Sequence, residues 1–328
     1  MMKRYMLSVV MLLVVCTIGA VTIRDFEVHF IDVGQADSTL IVDSGKTMLI
    51  DAGNNADGRL VIHYLKSMGI DHIDILVGTH PHEDHIGGMD AVIDEFSVST
   101  LLMPAKIHTT GSFEDLLDAI DRNRLSITVP KVNDTFTLGK SEITVIAPVR
   151  TDYFSINDHS LVLQLVRDGK RFLFEADAES TSEWHMIGNK ADLASDVLKV
   201  AHHGSDTSTN STFINMVNPS ISVIHVGKDN PYGHPSYTVM NRIGNTIYRT
   251  DQEGTVTITI EQGSIMVRTA RVHGNEYWKG ITLIGDTSTK MFHMPGCSLL
   301  PTEARQEGLF DREDALSLGY RACSICKP

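Results

Sequence analysis

From Phe26 to about Ile260, short apolar runs alternate with segments whose apolar positions recur at helical spacing. The short runs predict strands over Val28–Ile31, Thr39–Val42, Met48–Asp51, Ile75–Thr79, Leu161–Val166, Arg171–Phe174, Val197–Val200, Ile221–Val226 and Thr255–Ile260. The periodic segments predict helices over Arg59–Met68, His85–Glu95, Phe113–Asn123, Glu183–Ile187 and Thr212–Val217. Many strands with interspersed helices predict a layered α/β body. After Gln262-Gly263-Ser264 the pattern weakens, and the polar stretch near Arg271–Gly280 reads as a linker. The expected organisation is a leader over 1–22, a main domain over 23–265, a linker over 266–284 and a small module over 285–328.

The leader begins Met1-Met2-Lys3-Arg4 and continues through 18 uncharged residues from Met6 to Ile23. A basic start, an apolar segment and the small pair Gly19-Ala20 fit a secretory signal peptide. An uncleaved membrane anchor is the competing reading, because the stretch is at the lower limit for a spanning helix. Val15 before Cys16 argues against a lipoprotein. Either way the body is expected outside the cytoplasm, secreted or held at the outer face of the membrane.

Composition narrows the function. With 42% hydrophobic residues the 328-residue chain has enough apolar surface for a core, which excludes disorder. The net charge of −13 argues against a broad basic surface gripping nucleic acid by counterion release. A polyanionic substrate then needs local positive charge, which a metal site supplies.

The strongest chemical signal is Thr79-His80-Pro81-His82-Glu83-Asp84-His85-Ile86-Gly87-Gly88, between a strand and a helix. Imidazole and carboxylate groups crowded into one loop repel and desolvate one another unless a cation unites them, and this donor set suits Zn²⁺ or Mn²⁺. Asp51-Ala52-Gly53, Glu175-Ala176-Asp177 and His202-His203-Gly204-Ser205 each follow an apolar run. Acid or imidazole at several strand ends is how loops gather such a site.

These motifs resemble the metallo-β-lactamase superfamily and, more narrowly, the soluble domain of the ComEC DNA-uptake proteins. The resemblance rests on His29–Ser38, His80–Gly88, Ser160–Leu163, Asp177, Val200–Ser205, Asn230–Pro235 and Tyr248–Gly254. It implies an αββα sandwich with metal between the sheets at one edge. It further implies that His80 and His82 hold one metal, that Asp84 and His85 hold a second, and that Asp177 bridges them. His202 is expected to complete the second, with His203 the alternative ligand or its orienting partner. The superfamily's usual extra histidine before the bridging aspartate is missing; Asn157-Asp158-His159-Ser160 stands there, with Asp158 or His159 as candidate replacements. One or two divalent ions, zinc or manganese, are therefore expected.

The resemblance implies a metal-dependent hydrolase cutting phosphodiester bonds, DNA first among nucleic acids. Asp84 and Asp177 would fix the attacking water, and His234 would protonate the leaving oxygen or hold a phosphate oxygen. Asp37, Ser205 and Ser208 are candidate substrate contacts, with Thr207 and Thr209 beside them and Lys199, Lys228, Arg242 and Arg249 as nearby cations. Asp51 is expected to order the ligand loops. His29, His63, His108, His185 and His225 carry no assignment. A phosphodiesterase acting on a cell-wall polymer and a DNA-binding module that does not cleave are the alternatives. The motifs differ from those of β-lactam hydrolases, and no protein partner is evident.

In the last module three residues separate His293 from Cys297, 25 separate Cys297 from Cys323, and two separate Cys323 from Cys326. This is a Cys₃His spacing for one structural zinc, with a disulfide between two of the three thiols as the alternative. The segment resembles the zinc-binding domain of the Ada DNA-repair proteins, with His293 in the place of their methyl-accepting cysteine. Imidazole cannot take a methyl group as a thiolate does, so the expectation is a structural, DNA-contacting module without repair activity.

Overall fold

A computed structural model describes residues 25–270, 283–294, 297, 299–301, 306–309 and 312–328. The expected leader, Cys16 and positions 271–282 of the expected linker lie outside the described residues. Among the described residues no helix is long and apolar enough to cross a membrane.

The chain begins with β1 (Phe26–Phe30), β2 (Thr39–Asp43), β3 (Lys46–Ile50), α1 (Gly58–Ser67), β4 (His72–Val77), α2 (Glu83–Ile86), α3 (Met89–Glu95), β5 (Ser97–Leu102), α4 (Gly111–Arg122) and β6 (Ile127–Thr128). It continues with β7 (Thr135–Leu138), β8 (Ser141–Ala147), β9 (Val162–Arg167), β10 (Lys170–Phe174), α5 (Ser180–Gly188), β11 (Val197–Lys199), α6 (Ser211–Val217), β12 (Ile221–Ile224), α7 (Tyr237–Ile243) and β13 (Thr246–Arg249). After α8 (Thr250–Glu253), β14 (Val256–Glu261) and β15 (Ser264–Thr269) return to the first sheet.

Two sheets result, one of eight strands in the order β15-β14-β1-β2-β3-β4-β5-β6 and one of seven in the order β13-β12-β11-β10-β9-β8-β7. Phe26, Val28, Phe30, Ile41 and Met48 of the first share one buried core with Val145, Leu163, Leu165, Phe172 and Phe174 of the second. The outer face of the first sheet is covered through Val61, Leu65, Val92 and Leu116. The second is covered through Met186, Phe213, Val217 and Val239. This is the expected αββα order, because each sheet has two apolar faces and each amphipathic helix one apolar stripe.

Local signals explain several elements. The β2–β3 hairpin turns on Ser44-Gly45, both at positive φ, the geometry that matches strand twist in a two-residue loop. Phe113, Leu116 and Ile120 give α4 one buried stripe. Asn210 caps α6 by accepting from the N–H groups of Thr212 and Phe213. Asp43 in β2 accepts from Ser141 Oγ at 2.6 Å and pairs with Arg167 of β9 at 3.2 Å, tying the two sheets together.

Two expectations are corrected. The helix predicted over His85–Glu95 is broken into α2 and α3 at Gly87-Gly88. The main domain does not end at residue 265: β15 pairs with β14 from Val256↔Thr269 to Glu261↔Ser264, so residues 266–269 are strand. Its alternating, half-exposed edge pattern is a weak apolar signal. At the other end, residues 283–286 form β16 (Leu283–Asp286), which joins β17 (Met291–His293), β18 (Gln306–Leu309) and β19 (Arg321–Ala322) in a separate four-stranded sheet with α9 (Arg312–Ser317). Leu283, Phe292, Leu309, Ala315 and Tyr320 form its own small core.

Candidate metal centre

The site stands at strand ends. β3 and β4 run parallel, as do β10, β11 and β12, and their carboxyl ends deliver Asp51, His80, Asp177, His202–His203 and His225 to one edge. Open α/β sheets offer their ligand crevices at such ends. Four residues there turn the chain through left-handed backbone: Asp51 (φ 59°), Ala176 (φ 50°), His202 (φ 49°) and His203 (φ 54°). Each costs about 1–2 kcal/mol in a residue with a Cβ, and such strain collects where geometry serves function.

The glycines after His85 permit close approach. A Cβ on Gly87 would meet the Asn55 nitrogen at 2.3 Å, and one on Gly88 the Ala52 carbonyl oxygen at 2.4 Å. The loops interlock through main-chain bonds: Ala52 N–H donates to the His85 carbonyl at 2.8 Å and Asp37 N–H to the Asp84 carbonyl at 3.0 Å.

Ligand-type atoms of Asp84, His85, Asp177 and His203 all lie within 4.8 Å of one another. His85 Nε2 is 3.2 Å from Asp177 Oδ1, and His203 Nε2 is 3.2 Å from Asp84 Oδ2. On the other side of Asp177, Oδ2 is 3.9 Å from His80 Nε2, which is 3.0 Å from His82 Nδ1. The far nitrogens are held as metal-ligating imidazoles usually are. His85 Nδ1 bonds Asp51 Oδ2 at 2.8 Å, and His203 Nδ1 bonds the His225 carbonyl at 3.0 Å. Asp51 also accepts from Thr79 N–H at 2.8 Å and Thr79 Oγ1 at 2.7 Å. Buried His85 Nε2 and Asp177 Oδ1 have no hydrogen-bond partner of their own. Orphaned atoms in a donor set of this chemistry fit a divalent cation.

Electrostatics follow from mutual proximity. Burial would depress the His85 imidazolium, but Asp177, Asp51 and Asp84 outweigh it and hold the pKa well above the ordinary value. Burial would raise the Asp177 carboxyl, yet His85 and His203 hold it well below the usual range. His80 is pushed well below its ordinary value by burial and by His85. His234 is lowered by burial and then by His203 and His202.

A family profile described as the metallo-beta-lactamase superfamily matches residues 31–228, more than half of the chain. The protein belongs to the metallo-β-lactamase superfamily. Within it, the chain is 30% identical over 251 residues to ComE operon protein 3 of Bacillus subtilis, covering 70% of this chain and 32% of that protein. It is 29% identical over 255 residues to Recombination protein 2 of Haemophilus influenzae, covering 75% and 30%. It is 27% identical over 253 residues to Competence protein ComA of Neisseria gonorrhoeae, covering 76% and 34%. The chain thus spans about a third of the length of these relatives. Among solved structures, the metallo-beta-lactamase fold protein YhfI from Bacillus subtilis superposes with a TM-score of 0.50 at 11% identity, over 71% of this chain and all of that one. That likeness is one of fold. The resemblance to competence proteins of the ComEC kind read from the motifs therefore holds.

In this metallo-β-lactamase domain several expected residues take different places. His203, not His202, completes the Asp84–His85 quartet. Neither candidate replacement reaches the cluster: His159 Nε2 bonds the Tyr153 carbonyl at 3.2 Å, and Asp158 Oδ1 accepts from Glu179 N–H and Ser182 N–H at 3.2 and 3.0 Å. Asp37, expected among the substrate contacts, is buried, paired with Lys199, and 3.5 Å from the Nδ1 atoms of both His203 and His225. Lys199, donating also to the Ala176 carbonyl at 3.0 Å, is an internal cation. Ser208 is buried and donates to the Ala201 and Ser205 carbonyls, while Ser205 Oγ is 3.1 Å from Thr207 Oγ1. Both brace the turn before α6. Arg242 contacts the Ser208 and Thr209 carbonyls, and Arg249 pairs with Asp251.

His234 does stand at the centre, its ring centroid 5.9 Å from that of His202 and 6.5 Å from that of His203. Asn230 holds its loop by accepting from His234 N–H at 3.0 Å and donating to the His234 carbonyl at 2.8 Å. Sequence reasoning missed His225, Glu179 and the exposed Tyr232 stacked on His234. Lys199 had a signal: a lone lysine in Val197-Leu198-Lys199-Val200-Ala201 has no polar face to occupy.

In the C-terminal sheet, ligand-type atoms of His293, Cys297, Cys323 and Cys326 lie within 4.8 Å of one another, and the three thiols are unpaired. Backbone N–H groups of Met294, Leu299 and Ile325 point at the sulfurs of Cys326, Cys297 and Cys323 at 3.3, 3.5 and 3.4 Å. The backbone N–H of Cys326, and after it that of Ile325, lower the Cys323 thiol. Three sulfurs and one buried imidazole fit a structural zinc of tetrahedral type.

Proposed function

We propose that the protein hydrolyses phosphodiester bonds of nucleic acid, DNA first, at this centre, and that it acts outside the cytoplasm. The observation that carries the chemistry is the convergence of Asp84, His85, Asp177 and His203 with His80 and His82 just across Asp177. Divalent ions held there supply water activation and neutralise phosphate charge, which answers the acidity of a chain at −13. Competence names among the relatives support a nucleic-acid substrate, and the basic start followed by an uncharged stretch from Met6 to Ile23 supports export.

The residues divide the work. Asp84 and Asp177 stay ionised and orient the attacking water. Asp51, Asp37 and the His225 carbonyl fix imidazole direction. His234, its imidazole neutral because burial and its histidine neighbours lower the pKa, offers an N–H to a phosphate oxygen. The test is cleavage of circular and linear duplex, single-stranded DNA and RNA by Mn²⁺- or Zn²⁺-loaded protein, beside Asp84→Ala/His85→Ala. Cleavage that the double variant lacks supports the reading. Folded, metal-bound protein that cuts none of these polymers overturns it, and a cell-wall polymer becomes the substrate to try.

A further inference from the structure

The adjacent imidazoles of the β11 turn do not serve one position. His203 joins the Asp84 quartet, whereas His202 presents Nε2 to the opposite oxygen of Asp177, Oδ2, at 3.8 Å. That oxygen stands 3.9 Å from His80 Nε2, and His80 Nε2 stands 3.0 Å from His82 Nδ1. Donor atoms bound about 2.1 Å from a tetrahedral ion are about 3.4 Å from one another. The three neighbouring distances of 3.0, 3.8 and 3.9 Å lie on either side of that spacing, while the ligand atoms of this second set, unlike those of the quartet, do not all lie within 4.8 Å of one another.

The rest of His202 is held in the way of a ligand. Nδ1 lies 3.1 Å from Thr207 Oγ1 and 3.5 Å from Glu179 Oε1, a hydroxyl and a carboxylate that fix the tautomer with its lone pair on Nε2, where the only side-chain hydrogen-bond contact among the described residues is a long one from Asn157 Nδ2 at 3.5 Å. Glu179 Oε1 also accepts from Asn157 Nδ2 at 3.2 Å. Asn157 belongs to the segment where the superfamily's extra histidine is absent, and its buried Oδ1 has no hydrogen-bond partner. No imidazole from that segment takes the place, since His159 is committed to Tyr153.

We propose that His202 is the third imidazole of the first metal position, with His80 and His82, so that the His202-His203 pair is divided between two ions on either side of Asp177. The proposal rests on the reading of this centre as a divalent-metal site and is independent of the substrate.

The test is Mn²⁺ binding to the full chain, counted from the electron paramagnetic resonance of free Mn²⁺; this ion favours imidazole and carboxylate over the thiolates of the C-terminal cluster. Wild type should bind two ions. His202→Ala should lose one, or bind it at least tenfold more weakly, and Glu179→Gln should weaken the same ion by a smaller factor. Glu179→Gln keeps every ligand in place, so it reads the effect even if His202→Ala fails to fold. Two ions with unchanged affinity in His202→Ala, or a single ion in wild type, overturns the assignment. No binding by folded wild type defeats the metal reading itself, whereas loss of one ion in a protein that never cuts DNA leaves His202 assigned and removes only the nuclease.

Discussion

Asp51 Oδ2 lies 2.8 Å from His85 Nδ1, both groups buried, while the other nitrogen of that ring faces Asp177 Oδ1 at 3.2 Å. One carboxylate at the end of β3 thus sets the direction in which a histidine from the next loop presents its free nitrogen. Asp51→Asn keeps the shape but removes the charge. Removing such a partner typically costs about 10–100-fold in metal affinity. A chelator-competition titration should show that loss with the secondary structure unchanged, and unaltered affinity would mean Asp51 serves only the loop fold.

Gly88→Ala should destabilise the motif loop. Its Cβ would stand 2.4 Å from the Ala52 carbonyl oxygen and 2.6 Å from the Gly58 Cα, both main-chain atoms that cannot swing aside. Overpacking of this kind costs about 1–3 kcal/mol. Urea denaturation should show a lower midpoint, and metal affinity should fall with it, because the Ala52–His85 main-chain bond spans the same contact.

Glu183 links stability to pH. Burial raises its carboxyl from 4.5 to about 7, against the opposing pull of the Asn210 and Thr209 donors. The unfolded chain ionises near 4.5 while the folded one keeps the proton until about 7. Its contribution is therefore fully present below pH 4.5 and lost as pH rises to about 7, amounting to about 3 kcal/mol at about 1.4 kcal/mol per unit. Glu183→Gln, which cannot ionise, should flatten that part of the stability profile; an unchanged slope would assign the pH dependence elsewhere.

The C-terminal cluster should hold its ion independently. Cys323→Ser removes one of four donors, and structural zinc contributes directly to the folding of small domains. Zinc per chain should fall by about one equivalent, with Mn²⁺ binding at the other centre retained. A variant that kept full zinc would show that the thiols are held by something other than zinc.

Much of this was open to reading in one dimension. His80, His82, Asp84 and His85 fall within one loop, so their convergence is a matter of local chain geometry, and the strand before them and the glycines after them carry their own signals. The C-terminal ligand set was legible for the same reason, since Cys323 and Cys326 lie on one tight turn. Most core strands were readable because buried strands are continuous apolar runs, but β5 and β8, which bury Leu102, Ile143 and Val145 in the core, were not among the predicted strands. Edge elements such as β7 and β15 were not, because half their residues face water and the apolar signal halves with them.

By itself the sequence determined the superfamily, the layered architecture and the donor chemistry, all of which depend on residue type and short spacing. Only the tertiary structure decided which of His202 and His203 joins Asp84, that Asp37 and Lys199 are buried together, and that His159 turns toward Tyr153. Those outcomes depend on side-chain direction at left-handed turns and on which strand lies beside which. A single torsion at such a turn redirects an imidazole by several ångströms without changing a letter of the sequence, and only the packing of neighbouring strands fixes it.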